Sequence, residues 1–229
     1  MLGLFFRIGG IMLTKEELLD LEKPPKLENI SLKLLQQFYE SELTNKLYIY
    51  TLRQHKSTEI MQIKIRFFRE NMPHLIGIQK VVPPNMKYRF QGALGFVGIK
   101  EGKITIEKLK SYDAQRKQNE RVMPQIENRL THLYLLPSLM EECNIVKFSS
   151  KTVKQGYCQI RSDFILYNEK VGVKIHLGVI RENDTEYYVP ETFIVSSLRT
   201  RDRNRLTEGQ IFMNVVGLHI DVVKENEHI

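Results

Sequence analysis

Apolar and polar positions change their period several times along the chain, and those changes divide it. Over 14–22 the sequence Thr14-Lys-Glu-Glu17 makes a capping-box pattern ahead of Leu18 and Leu19, which predicts a short helix closed by Pro24-Pro25. Ser31 is placed to cap a second helix in which Leu32, Leu35, Phe38 and Tyr39 recur at helical spacing. From Lys46 the period shortens. Leu47-Tyr-Ile-Tyr-Thr-Leu52 is rich in β-formers, and Met61, Ile63, Ile65 and Phe67 alternate with Gln62, Lys64 and Arg66. That alternation predicts a strand with one wet face and, with the segment before it, a hairpin.

Asn71-Met-Pro-His74-Leu-Ile-Gly77 breaks the alternation, Pro83-Pro84-Asn85 reads as a loop, and the glycines at 92, 95 and 98 leave the next stretch unassigned. Lys103-Ile-Thr-Ile-Glu-Lys-Leu-Lys110 predicts a short helix. A longer one is expected over 115–142, with Val122, Ile126, Leu130, Leu133 and Leu136 along one face and Pro124 and Pro137 at its kinks or ends. The remainder predicts strands over 145–149, 159–167, 171–180, 187–195 and 212–223, with Asn168-Glu169 and Asn183-Asp184 as turns. Helices, a β-hairpin, further helices and then a mostly antiparallel C-terminal sheet make an α+β fold. The expected division is a helical N-terminal extension over 1–45 and a main domain over 46–229. Met12 stands directly before the capping-box pattern, so natural translation is expected to begin there, with 1–11 upstream.

Composition adds a partner class rather than a fold. The chain has 229 residues, 42% apolar and 27% charged, in the range of a soluble globular protein. Its 34 Lys+Arg against 27 Asp+Glu give a formal charge of +7, which favours a polyanionic partner. Cys143 and Cys158 make neither a disulfide framework nor a zinc site, and are expected as reduced thiols in a cytoplasm. No apolar run approaches the roughly 18 residues of a membrane span. A P-loop, a dinucleotide fingerprint, zinc-ligand spacing and a Gly-x-Ser-x-Gly elbow are all absent, and the acidic residues are too scattered to announce a two-metal site.

His74 carries the strongest chemical signal. It follows a strand, Pro73 fixes the backbone before it and Gly77 permits a tight bend after it; an imidazole so held can act as acid or base near neutral pH. The competing reading is a structural histidine satisfied by a carbonyl. The other five histidines lack comparable context. Lys80 follows by six residues and, if the segment continues extended, lines the same groove. Arg199-Thr-Arg-Asp-Arg-Asn-Arg205 places arginines at every second position, a spacing suited to successive phosphates if extended and a hydrated charge run if looped. Tyr187-Tyr-Val-Pro-Glu-Thr-Phe193 is a strand with a proline, which requires an edge or a bulge, and a bulge would aim Thr192 into a cleft.

Pro73-His-Leu-Ile-Gly77 after a β-rich segment, together with Tyr188-Val-Pro-Glu-Thr-Phe193 near the C-terminal end, resembles a phage- and mobile-element-associated subfamily of the barnase–EndoU–colicin–RelE nucleases. Lys100-Glu-Gly-Lys-Ile-Thr105 and Ser162-Asp-Phe-Ile-Leu-Tyr167 sit where that subfamily's intervening pieces belong, so the resemblance covers roughly residues 45 to 215. It implies a ribonuclease that needs neither metal nor cofactor, in which a ribose 2′-hydroxyl attacks the adjacent phosphate. His74 would be base or acid, Lys80 or an arginine among Arg199, Arg201 and Arg203 would hold phosphate charge, Thr192 would donate to phosphate, and Tyr167 would orient or stack on a base. No second histidine falls in a matching motif, so a two-histidine site is not carried over. RNA is the implied partner, with an antitoxin or immunity protein as a further one, in the cytoplasm of a bacterial or phage-infected cell. Two other readings stay open on the residues alone: a non-catalytic nucleic-acid-binding module, and a modulator that docks on a host protein.

Overall fold

A computed structural model describes residues 11–153 and 158–223; the stretch 1–10 ahead of Met12 lies outside them. Its helices are α1 (Lys15–Leu19), α2 (Leu32–Glu42), α3 (Asn71–Ile76), α4 (Gly92–Lys100), α5 (Ile106–Ala114), α6 (Met123–His132) and α7 (Leu136–Glu141). Its strands are β1 (Lys46–Gln54), β2 (Ile60–Arg66), β3 (Asn144–Lys147), β4 (Phe164–Lys170), β5 (Val173–Arg181), β6 (Tyr187–Ser197) and β7 (Ile211–Val222). The fold is α+β. The strands close in the order β1-β2-β6-β5-β4-β3-β7, and every described pairing is antiparallel except β2 with β6.

The alternation seen in the sequence dictates which face of the sheet is dry. Tyr48, Tyr50 and Leu52 of β1, Ile63 and Ile65 of β2, Ile175, Leu177 and Val179 of β5 and Phe193 of β6 point inward. They share one core with Phe38 of α2, Leu75 of α3 and Leu130 of α6, so the sheet curls around the helices. The expected capping box holds α1: Thr14 Oγ1 accepts from the Glu17 amide at 3.2 Å, and the Glu17 carboxylate accepts from the Thr14 amide at 2.7 Å. The hairpin of β1 and β2 forms as expected.

Two expectations are corrected and one unassigned stretch is resolved. The long helix over 115–142 is two helices, α6 and α7, joined by a 3-10 turn at Leu133–Leu135. Pro124 and Pro137 each fall in the first turn of a helix, where a missing N–H leaves nothing unsatisfied, so they mark beginnings. The glycine-rich stretch is α4, and its glycines permit close packing: a Cβ at Gly95 would stand 2.7 Å from the Phe90 backbone. Asn168 and Glu169 lie inside β4; the reversal comes at Val171-Gly172, both with positive φ (51° and 78°), as a two-residue hairpin turn requires. Valine is an unfavourable residue there, which is why the turn was invisible in the sequence. The Asn183-Asp184 turn is present, with Asp184 at φ 61°.

The proline of β6 does what a proline in a strand must. Gly178 pairs with Thr192 and Val179 with Pro190, which leaves Glu191 as the extra residue of a bulge. On its other side β6 meets β2 through only two pairs, Lys64 with Tyr187 and Ile65 with Tyr188. Beyond them the β2 chain turns into α3, which packs against β6.

Candidate active site

The helix that takes over from β2 positions the first functional group. α3 ends at Gly77, whose φ of 81° gives the left-handed cap, and a Cβ there would stand 2.9 Å from a terminal nitrogen of Arg129. Arg129 reaches across from α6 and donates to the Leu75 carbonyl at 3.2 Å, satisfying one of the free carbonyls at the end of α3. Ile78–Lys80 is a 3-10 turn, so the chain does not continue extended as expected. The turn sends Gln79 inward and Lys80 outward.

Gln79 Nε2 lies 3.0 Å from His74 Nδ1. The carboxamide can turn about its axis, so Nδ1 either accepts from the Gln79 amide or donates to its oxygen, which has no other partner. Nε2 faces Oε1 of the bulge residue Glu191 at 3.9 Å, with the two side chains 47% and 37% exposed. Lys80 and Arg129 flank the same Gly77 turn. Burial, and then the Arg129 guanidinium, lower the pKa of the Lys80 ammonium, and burial lowers that of Arg129. An imidazole and a carboxylate therefore face each other at the rim of β6, and two closely placed cations stand at the cap of the helix that carries the imidazole.

A second constellation lies on the outward face of β4, β5 and β6. Lys174, His176 and Gly178 alternate with the core residues Ile175, Leu177 and Val179. Tyr167 pairs with His176, and their rings stack at 6.2 Å and 29°. The Lys174 ammonium lies 4.5 Å from the centre of the Tyr167 ring and donates to Asn204 Oδ1 at 2.8 Å, with Thr207 Oγ1 at 3.4 Å and Glu169 at 3.9 Å. His176 is 1% exposed. Burial, then the neighbouring Lys174 charge, push its pKa down to about 4; the Ile194 backbone offsets part of this, although neither ring nitrogen reaches full hydrogen-bond geometry. His176 is a neutral imidazole at physiological pH.

The residues singled out by sequence divide between these two places. His74 is on α3 facing Glu191, and Lys80 stands by the Gly77 cap that closes the same helix. Thr192 follows the bulge residue, with its methyl 2.7 Å from where a Gly178 Cβ would be, beside Ser162. Tyr167 belongs to the outward face, and Arg203 is held over it, donating to the Leu198 carbonyl at 2.8 Å. Arg199 and Arg201 are exposed in the same turn. Arg201–Asn204 is a 3-10 turn, so the arginines do not project from one side of an extended segment. The loop alternative applies.

Sequence reasoning passed over Glu191, Gln79 and Arg129 in the first constellation, and Lys174 and His176 in the second. Glu191 had a signal, because it follows the proline that demanded a bulge. Lys174-Ile-His-Leu-Gly178 also had one, in its polar–apolar alternation. Arg129 had none; only the fold brings it 54 positions back to Leu75. Among the described residues no three His, Cys, Asp or Glu side chains gather to hold a metal ion, and no helix is long and apolar enough to cross a membrane.

A family model described as phage-Barnase-EndoU-ColicinE5/D-RelE like nuclease4 (PBECR4) matches residues 32–228, which includes both constellations. Comparison with curated proteins and with solved structures found no match.

Proposed function

Since the chain belongs to the phage-Barnase-EndoU-ColicinE5/D-RelE like nuclease4 family, we propose that it is a metal-independent endoribonuclease working at the rim of β6. The observation that carries this reading is the His74–Glu191 pair, 3.9 Å apart and open to solvent, with His74 on a helix whose Gly77 cap is flanked by Lys80 and Arg129. Cleavage of RNA by its own 2′-hydroxyl needs a base for that hydroxyl, an acid for the departing 5′-oxygen and cations for the charge of the phosphorane. Glu191 takes the 2′-proton and the 2′-oxygen bonds to phosphorus. Lys80 and Arg129 hold the non-bridging oxygens while the bond to the 5′-oxygen breaks, and His74, entering as the imidazolium with the Gln79 carboxamide oxygen accepting from its Nδ1–H, delivers its Nε2 proton to that oxygen and is left as a neutral ring. The products are a 2′,3′-cyclic phosphate and a free 5′-hydroxyl.

The other predicted residues take positioning roles in this scheme. Thr192 is the next residue along β6 and donates to a phosphate, while Arg199, Arg201 and Arg203 hold phosphates further along the chain and Tyr167 orients the substrate. The net charge of +7 supports a polyanionic substrate. A phage or mobile-element effector that cuts RNA in the cytoplasm would act as a toxin and call for a neutralising antitoxin or immunity protein, and the family's phage association supports that setting.

The test is cleavage of a labelled RNA in excess EDTA, beside the same strand with a single 2′-deoxyribose at the cut site. Cutting of the first alone, with a cyclic phosphate on the product, is expected. Loss of activity in EDTA, or equal cutting of the deoxy substrate, rejects the mechanism. Salt-sensitive binding without any product points to a binding module instead.

A further inference from the structure

β7 is the strand that the fold leaves half paired. One of its edges runs along β1 from Met213 to Val222, while the other meets β3 only at Ile211, Phe212 and Met213. From Asn214 onward no strand among the described residues lies on that second edge. The backbone N–H and C=O groups there are a template for another strand, which natural sheets blunt with lysine, proline or a bulge. β7 has its bulge at Val216, opposite Thr51 and Leu52. From Gly217 to Val222 its pairing with β1 is regular, and that stretch contains neither lysine nor proline.

The side chains of this stretch divide by face. Leu218, Ile220 and Val222 stand on the side where β1 presents the buried Tyr50 and Tyr48, yet Ile220 is 36% and Val222 82% exposed. His219 and Asp221 stand on the other side, with His219 Nε2 2.7 Å from Asp221 Oδ1. Set against itself in antiparallel register about Ile220, the stretch is its own complement. Leu218 then faces Val222, Ile220 faces Ile220 and Val222 faces Leu218, all apolar, while each His219 faces an Asp221. No nearby axis does the same. About His219 the two histidines meet and Asp221 faces glycine; about Asp221 the two carboxylates meet; about Leu218 each Asp221 falls opposite Val215.

We infer that two copies of this chain join through β7, as an antiparallel pair about a two-fold axis at Ile220, so that one sheet runs through both. The occupant of the open edge is the chain itself, because its own sequence supplies both the apolar and the His–Asp complement. Such a contact is isologous: each copy offers the same patch. The strand order separates β7 from β6 by β1 and β2 on one side and by β3, β4 and β5 on the other. The contact therefore lies away from the His74–Glu191 rim and stands independently of the nuclease reading.

Sedimentation equilibrium of the full chain, from low to high micromolar concentration, is expected to show a reversible dimer of twice the 27.0 kDa chain mass. Ile220→Lys sets two ammonium groups face to face and should weaken association by about 100-fold or more. His219→Glu, at an exposed position, sets carboxylate against carboxylate and should weaken it by about 10-fold. Adding Asp221→Lys to that variant restores opposite charges across the axis and should recover most of the loss. Far-UV circular dichroism and urea unfolding establish that each variant is folded, and His219→Glu with its rescue decides the matter if Ile220→Lys is not. A chain that stays monomeric throughout, its edge left for a strand of some other protein, overturns the inference. So does a dimer that persists unchanged in His219→Glu and in folded Ile220→Lys.

Discussion

Two histidines lie close to the same strand and are used in opposite ways. His74 sits where α3 replaces a neighbouring strand, half open to water, with a carboxamide on one ring nitrogen and a carboxylate opposite the other. His176 sits in the middle of β5, pressed between Tyr167 and the turn above it, with an ammonium group beside it. The first environment offers an imidazole somewhere to send and receive protons. The second penalises the charged form twice, by removing water and by adding a positive neighbour. Histidine as a residue type therefore carries little functional information until its surroundings are known. An exposed carboxylate partner marks the ring that can do chemistry, and a buried cationic one marks the ring that packs.

Breaking the first region gives the largest effect. His74→Ala or Glu191→Gln is expected to slow RNA cleavage by about 10²–10⁴-fold, the usual contribution of a placed acid or base. Stability should move by no more than about 0.5 kcal/mol, because both side chains are well exposed. Single-turnover cleavage and urea unfolding of each variant check this. Near wild-type rates in His74→Ala would return that ring to a structural role.

The second region is tested by pH. His176 has a folded pKa of about 4, against roughly 6.5 for an unperturbed histidine. Between those values the unfolded chain binds the proton and the folded protein does not, so stability falls as pH drops through that window. The loss attributable to this ring is on the order of 3 kcal/mol, most of it reached by about pH 4 and the rest below the folded pKa. Urea unfolding at steps from pH 7 to 4 measures it, and His176→Leu should flatten that part of the curve. An unchanged profile in the variant would mean the ring is not the buried neutral group described.

How much of this was legible beforehand follows from how local each feature is. The α1 cap, the hairpin and the bulge at Pro190 are written in neighbouring residues, and all three formed as read. His74 and Lys80 are near in sequence, but a helix and a 3-10 turn stand where an extended groove was expected. Arg129 could not be read, because its place at Gly77 depends on how α6 packs on α3. The arginine run was misleading for a different reason: Ser197 and Thr200 bend the chain first, with the Arg199 amide donating to Ser197 Oγ at 3.2 Å and Thr200 Oγ1 donating to the Ser197 carbonyl at 2.8 Å. Period-two spacing has meaning only on a strand. The same rule, applied to β5, would have found Lys174 and His176.

The contact between the two regions can be stressed directly. A methyl at Gly178 would stand 2.3 Å from Ser162 Oγ and 2.7 Å from the Thr192 methyl, so Gly178→Ala must displace one of them. Overpacking of this kind costs about 1–3 kcal/mol. Ser162→Gly in the same chain should recover part of that cost. If Thr192 is what yields, Glu191 moves with it, and cleavage falls alongside stability. If Ser162 yields, cleavage is spared. Paired measurements of Tm and cleavage rate on the single and double variants separate these outcomes.

The smallest expected effect bears on what keeps His176 covered. Lys174 is 5% exposed and holds the turn through Asn204 and Thr207. Burial lowers its pKa, the Glu169 carboxylate raises it and Arg203 lowers it again, so the charged form is held in a balance of opposing neighbours. Methionine has nearly the same length without the charge, and replacing a buried ion by an apolar side chain of similar volume is often close to neutral. Lys174→Met is therefore expected to change global stability by no more than about 1 kcal/mol. Its local effect should be larger in kind, because Asn204 and Thr207 lose the donor that pins them. Limited trypsin digestion at Arg199, Arg201 and Arg203 should then run several-fold faster than in the parent protein. A turn that stays protected in the variant would show that Leu206, buried in the small outer cluster with Ile165 and Phe148, is enough to hold the cover in place.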